Sequence, residues 1–145
     1  MITIHIIAAG AARAAEWYAT VLGAEEKSRI TLPDGRLIHV ELWFGSSVVM
    51  LADEFPEHEA LSPATTGHTS AVFYLQVSDV DAAWNQAIEG GASVLRPLAD
   101  TFWGEREGQI IDPFGHRWGL SQHVRDVPLA EMSRAAAEVF GGGAS

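Results

Sequence analysis

The chain has 145 residues, 48% of them hydrophobic, which is enough for a domain with a packed core and too apolar for a disordered chain. Its formal net charge of −10 at pH 7 argues against nucleic acid as a partner, and no apolar run approaches the ~20 residues of a membrane span. The absence of cysteine excludes disulfides and thiolate metal sites. Because the chain does not start with a basic leader, we expect a cytoplasmic protein.

Two segments, residues 2–30 and 70–98, share one layout: a β-rich run, a break at small or polar residues, a helix pattern and a Gly-Ala end. Apolar residues recur at helical spacing in both, at Ala14, Trp17, Tyr18, Val21 and Leu22 and at Val80, Ala83, Trp84, Ala87 and Ile88. Asp79 is the expected N-cap of the second helix, and Gly23 and Gly90 are the expected helix ends. The pattern predicts a repeated βα unit.

A second match follows each helix. When Phe44 is aligned with Phe114, residues 36–53 and 106–123 both read as strand, glycine-containing turn and strand. We therefore predict an α+β fold in which two tandem βαβββ modules form a cupped mixed sheet within a single domain, 1–145.

The predicted boundaries place module one at residues 1–53 and module two at 70–123. Residues 54–69 are rich in Pro, Thr and Glu, which is typical of a surface linker. An amphipathic pattern predicts a C-terminal helix over 126–140, docked on the domain or on a partner chain. The final GGGAS is expected to fray.

The tandem modules, with the stretches AEWYATVLGA, VSDVDAAWNQAIEGGA and DPFGHRWGL, resemble the vicinal oxygen chelate superfamily of glyoxalases, bleomycin resistance proteins and extradiol dioxygenases. ELWFGSSVVMLAD and DTFWGEREGQIIDPFGHRWGLSQH are most similar to its small glyoxalase-like proteins related to PhnB. The resemblance covers residues 2–123. It implies a ligand pocket on the inner side of the cup and a homodimer, but no single activity, because this fold hosts many.

Metal-dependent members of this superfamily place four ligands, His, Glu or Gln, on the inner face, one from the first and one from the last strand of each module. Carried over by position, these fall on Thr3 and Val49 in module one, and on Gly119 and Val72 (or Ala71 by the module offset) in module two. These side chains do not hold a divalent metal. We therefore predict that the usual metal site is missing and that there is no cofactor.

Strand alternation predicts which other side chains share the inner face. In residues 37–44 the apolar set expected to face the helices is Ile38, Val40, Leu42 and Phe44. By the same alternation, the candidate ligand-binding residues of the inner face are His5, His39, Glu41, Trp43, Tyr74, Gln109, Ser121 and His123. A lone histidine in such a set is more often a hydrogen-bonding or stacking residue than a metal ligand.

The loop from Asp100 to Gly108 adds further candidates. Phe102 and Trp103 could stack on a planar ligand, and Arg106 could bind a carboxylate or phosphate. The alternative for Arg106 is an ion pair within the fold, with Asp100, Glu105 or Asp112. Beside the DPFG turn, His116 and Arg117 are expected to be solvated, and Trp118 is expected to lie in the core.

The function predicted from these residues is binding of a small molecule, with a planar or cationic antibiotic-like ligand favoured by the aromatic and acidic inner face. The first alternative is a glyoxalase-like metalloenzyme, a lyase, isomerase or dioxygenase, with relocated ligands drawn from His5, His39, Glu41 and His123. The second is a homodimer with a vestigial pocket. The residues alone leave these alternatives open.

Overall fold

A computed structural model, which describes residues 1–141, confirms the α+β fold of two βαβββ modules followed by a C-terminal helix. Module one contains β1 (Ile4–Ala8), α1 (Ala11–Leu22), β2 (Glu25–Thr31), β3 (Leu37–Phe44) and β4 (Ser47–Asp53). A 3₁₀ helix (Pro56–His58) and α2 (Pro63–Thr66) follow. Module two contains β5 (Val72–Gln76), α3 (Val80–Glu89), β6 (Ser93–Asp100), β7 (Glu105–Ile111) and β8 (Arg117–His123), and α4 (Leu129–Gly141) comes last. Residues 142–145, most of the GGGAS end, lie outside the described residues.

Each module builds its own four-stranded sheet, with strand order β1-β4-β3-β2 in module one and β5-β8-β7-β6 in module two. The first strand of each module runs parallel to the last, and the other neighbours are antiparallel, as the predicted mixed sheet requires. The sheet is thus divided in two. β1 and β5 each have one paired edge within the described residues.

One hydrophobic core joins the modules. The helices α1 and α3 pack on one face of the sheets, where the buried residues include Tyr18, Val40 and Leu51 from module one and Ile110 and Trp118 from module two. The N-cap at Asp79 and the helix ends at Gly23 and Gly90 are confirmed; the Ala82 N–H donates to Asp79 Oδ1 at 3.1 Å. We call the opposite sheet face, turned away from the helices, the inner face.

The buried carboxylate of Asp112 connects the two modules. Its Oδ2 accepts from the Tyr18 hydroxyl of α1 at 2.5 Å and from Trp118 Nε1 at 2.9 Å. Its Oδ1 accepts the backbone N–H groups of Phe114 and His116. Burial first, and the neighbouring Asp112 second, raise the pKa of Tyr18 well above its ordinary value. The DPFG turn is therefore a junction between modules as well as a hairpin.

The prediction that His116 is solvated is wrong. This residue is 5% exposed, and its Nε2 lies 2.7 Å from the carbonyl oxygen of Ile7 in β1. The turn folds back against module one, a long-range contact that local sequence does not encode. Arg117, also expected to be solvated, is half-buried.

The C-terminal helix α4 has no buried residue. Phe140 lies 6.5 Å from the ring of Phe102 but is 77% exposed, and Leu129 and Val139 are exposed as well. Within residues 1–141, every helix is too short or too polar to cross a bilayer.

Candidate functional site

The pairing of β-strands defines which positions of the two modules are equivalent. Both parallel ladders join residues 45 apart, and the buried, helix-facing residues Val49 and Leu51 match Trp118 and Leu120, so equivalent residues of these strands are 69 apart. The prediction that placed the module-one ligand position at Val49 used a spacing of 70 and is wrong. Val49 is 8% exposed and pairs with Leu42, on the helix-facing side.

A slip of one residue moves a strand side chain to the opposite face of its sheet. The residue equivalent to Gly119 is therefore Met50. Three neighbouring inner-face positions can then be matched between the modules: His5, Met50 and Glu41 in module one, and Tyr74, Gly119 and Gln109 in module two.

The last-strand positions among these, Met50 and Gly119, do not fit the divalent metal of the metal-dependent relatives, and neither do the first-strand positions Thr3 and Val72. In module two the ring of Tyr74 lies over Gly119, so closely that a Cβ added to Gly119 would lie 2.4 Å from two ring carbons. In module one, His5 has the thioether of Met50 as its β4 neighbour, a soft group unlike the His, Glu or Gln of those sites. The structure, over residues 1–141, brings no three His, Asp or Glu side chains together as a metal site. The relocated site considered for His5, His39, Glu41 and His123 is therefore not assembled.

The inner face of module two carries a closed polar network around Tyr74. The Tyr74 hydroxyl accepts from Gln109 Nε2 at 2.8 Å and from Arg96 Nη2 at 3.2 Å. Arg96 also reaches the buried carboxylate of Glu107 at 3.3 Å, and Arg117 Nη2 donates to Gln109 Oε1 at 3.1 Å. These bonds fix the ring across Gly119.

The network continues along β8 to His123. Ser121, which is 1% exposed, lies within hydrogen-bond distance of Glu105 and Glu107, and its single hydroxyl proton can serve one carboxylate at a time. His123 lies between Glu105 at 3.1 Å and Asp126 at 2.7 Å. Hydrogen bonding to Glu105, and then to Asp126, raises the pKa of His123 above its ordinary value of 6.5.

The inner face of module one is more open. Trp43 Nε1 donates to Glu41 Oε2 at 2.8 Å, and Lys27 Nζ lies 6.0 Å from the centroid of the Trp43 ring. His39 Nε2 is 3.2 Å from the Ser28 hydroxyl. His5 is exposed. The four candidates of module one thus lie on the predicted face, with only local partners.

The loop candidates lie elsewhere. Phe102 and Trp103 contact each other edge-on at 4.7 Å, and Phe102 also meets α4. Arg106 faces the helix side of β7, where it pairs with Asp81 of α3 at 2.9 Å and with Asp100 at 3.2 Å. The structure therefore favours the ion-pair alternative for Arg106 over a ligand contact.

A groove of about 540 Å³ runs between the modules. Its wall combines the inner-face residue Tyr74 and the exposed Ile4 with aromatic side chains of the core or packed against it, among them Phe44, Phe73 and Trp118. Of the predicted ligand-binding residues, the structure places Tyr74 in the wall of this groove. Gln109 donates a hydrogen bond to the Tyr74 hydroxyl.

The sequence did not predict the roles of four residues in these networks, Glu105, Glu107, Arg96 and Asp112. A signal existed for the two glutamates, since alternation along β7 places them on the same face as Gln109. No sequence signal pointed to Arg96, because β6 pairs irregularly with β7 around that residue and the alternation is interrupted.

Comparisons with known proteins agree with this architecture. A profile of the Glyoxalase/Bleomycin resistance protein/Dioxygenase superfamily matches residues 2–120. An uncharacterized protein of Mycobacterium tuberculosis is 39% identical over 134 residues, covering 90% of this chain and 79% of the relative. The crystal structure of TioX from Micromonospora sp. ML1 is 26% identical with a TM-score of 0.65, covering 88% of this chain and 99% of that one.

The structure of a PhnB protein from Bacillus cereus, named as a putative 3-demethylubiquinone-9 3-methyltransferase, is 18% identical with a TM-score of 0.66, covering 83% of this chain and 98% of that one. At that identity the likeness concerns the fold alone. The repeated modules, their strand order and the matching profile establish that this chain belongs to the glyoxalase/bleomycin resistance protein/dioxygenase superfamily.

Proposed function

We propose that this protein binds a planar small molecule, cationic by preference, and holds it without the divalent metal of the metal-dependent relatives. Tyr74 carries the proposal. Its ring covers Gly119, the position that resembles a metal-ligand site, and the same ring forms part of the wall of the groove between the modules. An aromatic surface thus stands where metal coordination would require a polar side chain.

The groove supports a planar ligand. Its volume of about 540 Å³ lies within the range of ordinary ligand sites, which argues against a vestigial pocket. The rings of Phe44, Tyr74 and Trp118 line it, and aromatic rings favour stacking on flat ligands.

The charge of the chain supports a cation. A net charge of −10 raises the concentration of cations near the surface, and Lys27 already lies over the ring of Trp43 beside Glu41. His5, His39, Glu41 and Trp43 therefore remain candidates for a ligand that extends onto module one, and Ser121 and His123 for one that extends along module two.

Calorimetry on chelator-treated protein tests the proposal, with proflavine as a planar cation and acridone as a planar neutral compound. We expect proflavine to bind without added metal, and more tightly than acridone. Replacing Ser47, which lines the groove, by Trp should block binding, whereas Ser93→Trp, at the exposed start of β6, should not. Equal binding by both variants, or binding only after a divalent metal is added, would contradict the proposal.

We also propose that the protein is a homodimer. The exposed apolar residues of α4, such as Leu129 and Phe140, support this proposal because such surface is costly to leave in water. Light scattering after gel filtration should give twice the chain mass. A monomer that persists at the highest soluble concentration would contradict the dimer.

A further inference from the structure

Arg117 is a cation without an acidic partner. It begins β8 and lies on the inner face of module two, paired in the ladder with Val72 and Ile111. Within residues 1–141 it forms no ion pair, although the chain carries 19 acidic residues. Its Nη2 donates to the amide oxygen of Gln109, a neutral acceptor.

The guanidinium also has an unsatisfied donor. Arg117 Nε is buried and has no hydrogen-bond partner among the described residues, where no other buried side-chain nitrogen or oxygen lacks one. A buried donor without an acceptor costs free energy, and a charged donor costs more than a neutral one. Such a group is stabilised when an anion is placed beside it.

Space for an anion lies next to Arg117. A cavity of about 280 Å³ opens at the linker end of the module-two sheet, lined by Arg117, His68, Thr69, Pro63, Leu95 and Ile111. The Thr69 hydroxyl accepts from the Ala71 N–H at 3.2 Å, which leaves its proton available for donation. The cavity therefore combines a cation, a hydroxyl donor and an imidazole with an apolar wall.

We propose that this cavity binds a small organic carboxylate, with Arg117 as its anchor and the apolar body of the ligand against Leu95 and Ile111. The planar guanidinium matches a carboxylate in shape as well as in charge. The apolar wall favours an organic acid over a bare inorganic ion. The cavity and the groove between the modules have no lining residue in common, so this proposal does not depend on the planar-ligand proposal.

Titration of the isotope-labelled protein with benzoate, followed by amide NMR, tests the site. We expect saturable shifts of the signals from residues 67–69, 95, 111 and 117. Benzamide, which has the same shape without the charge, should leave these signals unchanged. The proposal is overturned if benzoate gives no saturable shift there, if benzamide shifts the same signals equally, or if phosphate binds there and benzoate does not.

Two variants that each remove one positive charge distinguish a specific role of Arg117 from a general electrostatic effect. Arg117→Gln should weaken benzoate binding by about tenfold or more, whereas Arg125→Gln, outside the cavity, should leave it unchanged. Equal weakening in both variants would overturn the site. If Arg117→Gln does not fold, Leu95→Trp keeps Arg117 and fills the cavity from an exposed position. Loss of benzoate binding in this variant supports the proposal, and undiminished binding overturns it.

Discussion

The two modules share a backbone plan and differ in their inner faces. On the helix-facing side both bury apolar residues, such as Val49 and Leu51 in β4 and Trp118 and Leu120 in β8, because both must contribute to one core. The inner faces differ. His5, Met50 and Glu41 of module one form an open surface, whereas Tyr74, Gly119 and Gln109 of module two are held together by packing and hydrogen bonds. The fold constrains one side of each sheet and leaves the other side free for chemistry.

The modules also contribute different groups to the contact that joins them, and removing that contact should have the largest effect on stability. α1 of module one supplies the buried Tyr18 hydroxyl, and the turn of module two supplies the Asp112 carboxylate that accepts from it. Asp112→Ala leaves the Tyr18 hydroxyl and the Trp118 N–H buried without an acceptor, which should lower the free energy of unfolding by about 3–5 kcal/mol. Urea denaturation measures this loss.

Tyr18→Phe is the control for that contact, since it removes one donor and keeps the carboxylate. Its cost should be smaller, about 1–2 kcal/mol. Both variants, like the native chain, should unfold in a single transition, because the modules share one core. Two separate transitions in the native chain would show that the modules are independent domains.

Gly119 is the next most sensitive position. Gly119→Ala places a methyl group against the ring of Tyr74, and such overpacking should cost about 1–3 kcal/mol. In the Tyr74→Ala background the same change should cost far less, because the clash is gone. Denaturation of the four proteins of this cycle checks the coupling, and additive costs would mean that the ring does not need the glycine.

The smallest expected effect is a pH dependence at the end of the module-two network. The pKa of His123 is raised by Glu105 and then by Asp126, so protonated His123 stabilises the folded state. This contribution is fully present below the unfolded-state value of about 6.5 and is lost as the pH rises through the raised folded-state value.

His123→Gln isolates that contribution. Denaturation midpoints of the native and variant proteins should differ below about pH 6.5 and converge at higher pH. The matched change His39→Gln in module one provides the comparison, because it removes a contact to the neutral hydroxyl of Ser28. A His123 difference that grows with rising pH would contradict the assigned direction.

Much of the fold followed from sequence because periodicity and repetition are local signals. The helices, the caps at Asp79 and Gly23, and the alternation along β3 from Val40 onward were predictable, whereas Ile38, expected to face the helices, is exposed. The prediction of the module-one ligand position at Val49 was wrong because the turn between β7 and β8 has one residue more than its module-one counterpart, which changes the spacing of the repeat. A slip of one residue moves a strand side chain to the opposite face of the sheet. The buried setting of His116 could not be predicted, because it depends on a contact with Ile7, far away in sequence.

The metal content of the purified protein tests the central claim most directly, namely that Tyr74 over Gly119 replaces a metal ligand. Elemental analysis of the native chain, and of a sample equilibrated with Ni²⁺, Zn²⁺, Mn²⁺ or Fe²⁺ and then desalted, gives the number of ions per chain. We predict far less than one ion per chain in every case, with no change in Tyr74→Phe. One tightly bound ion per chain that is lost in His5→Ala or in Tyr74→Phe would contradict the account.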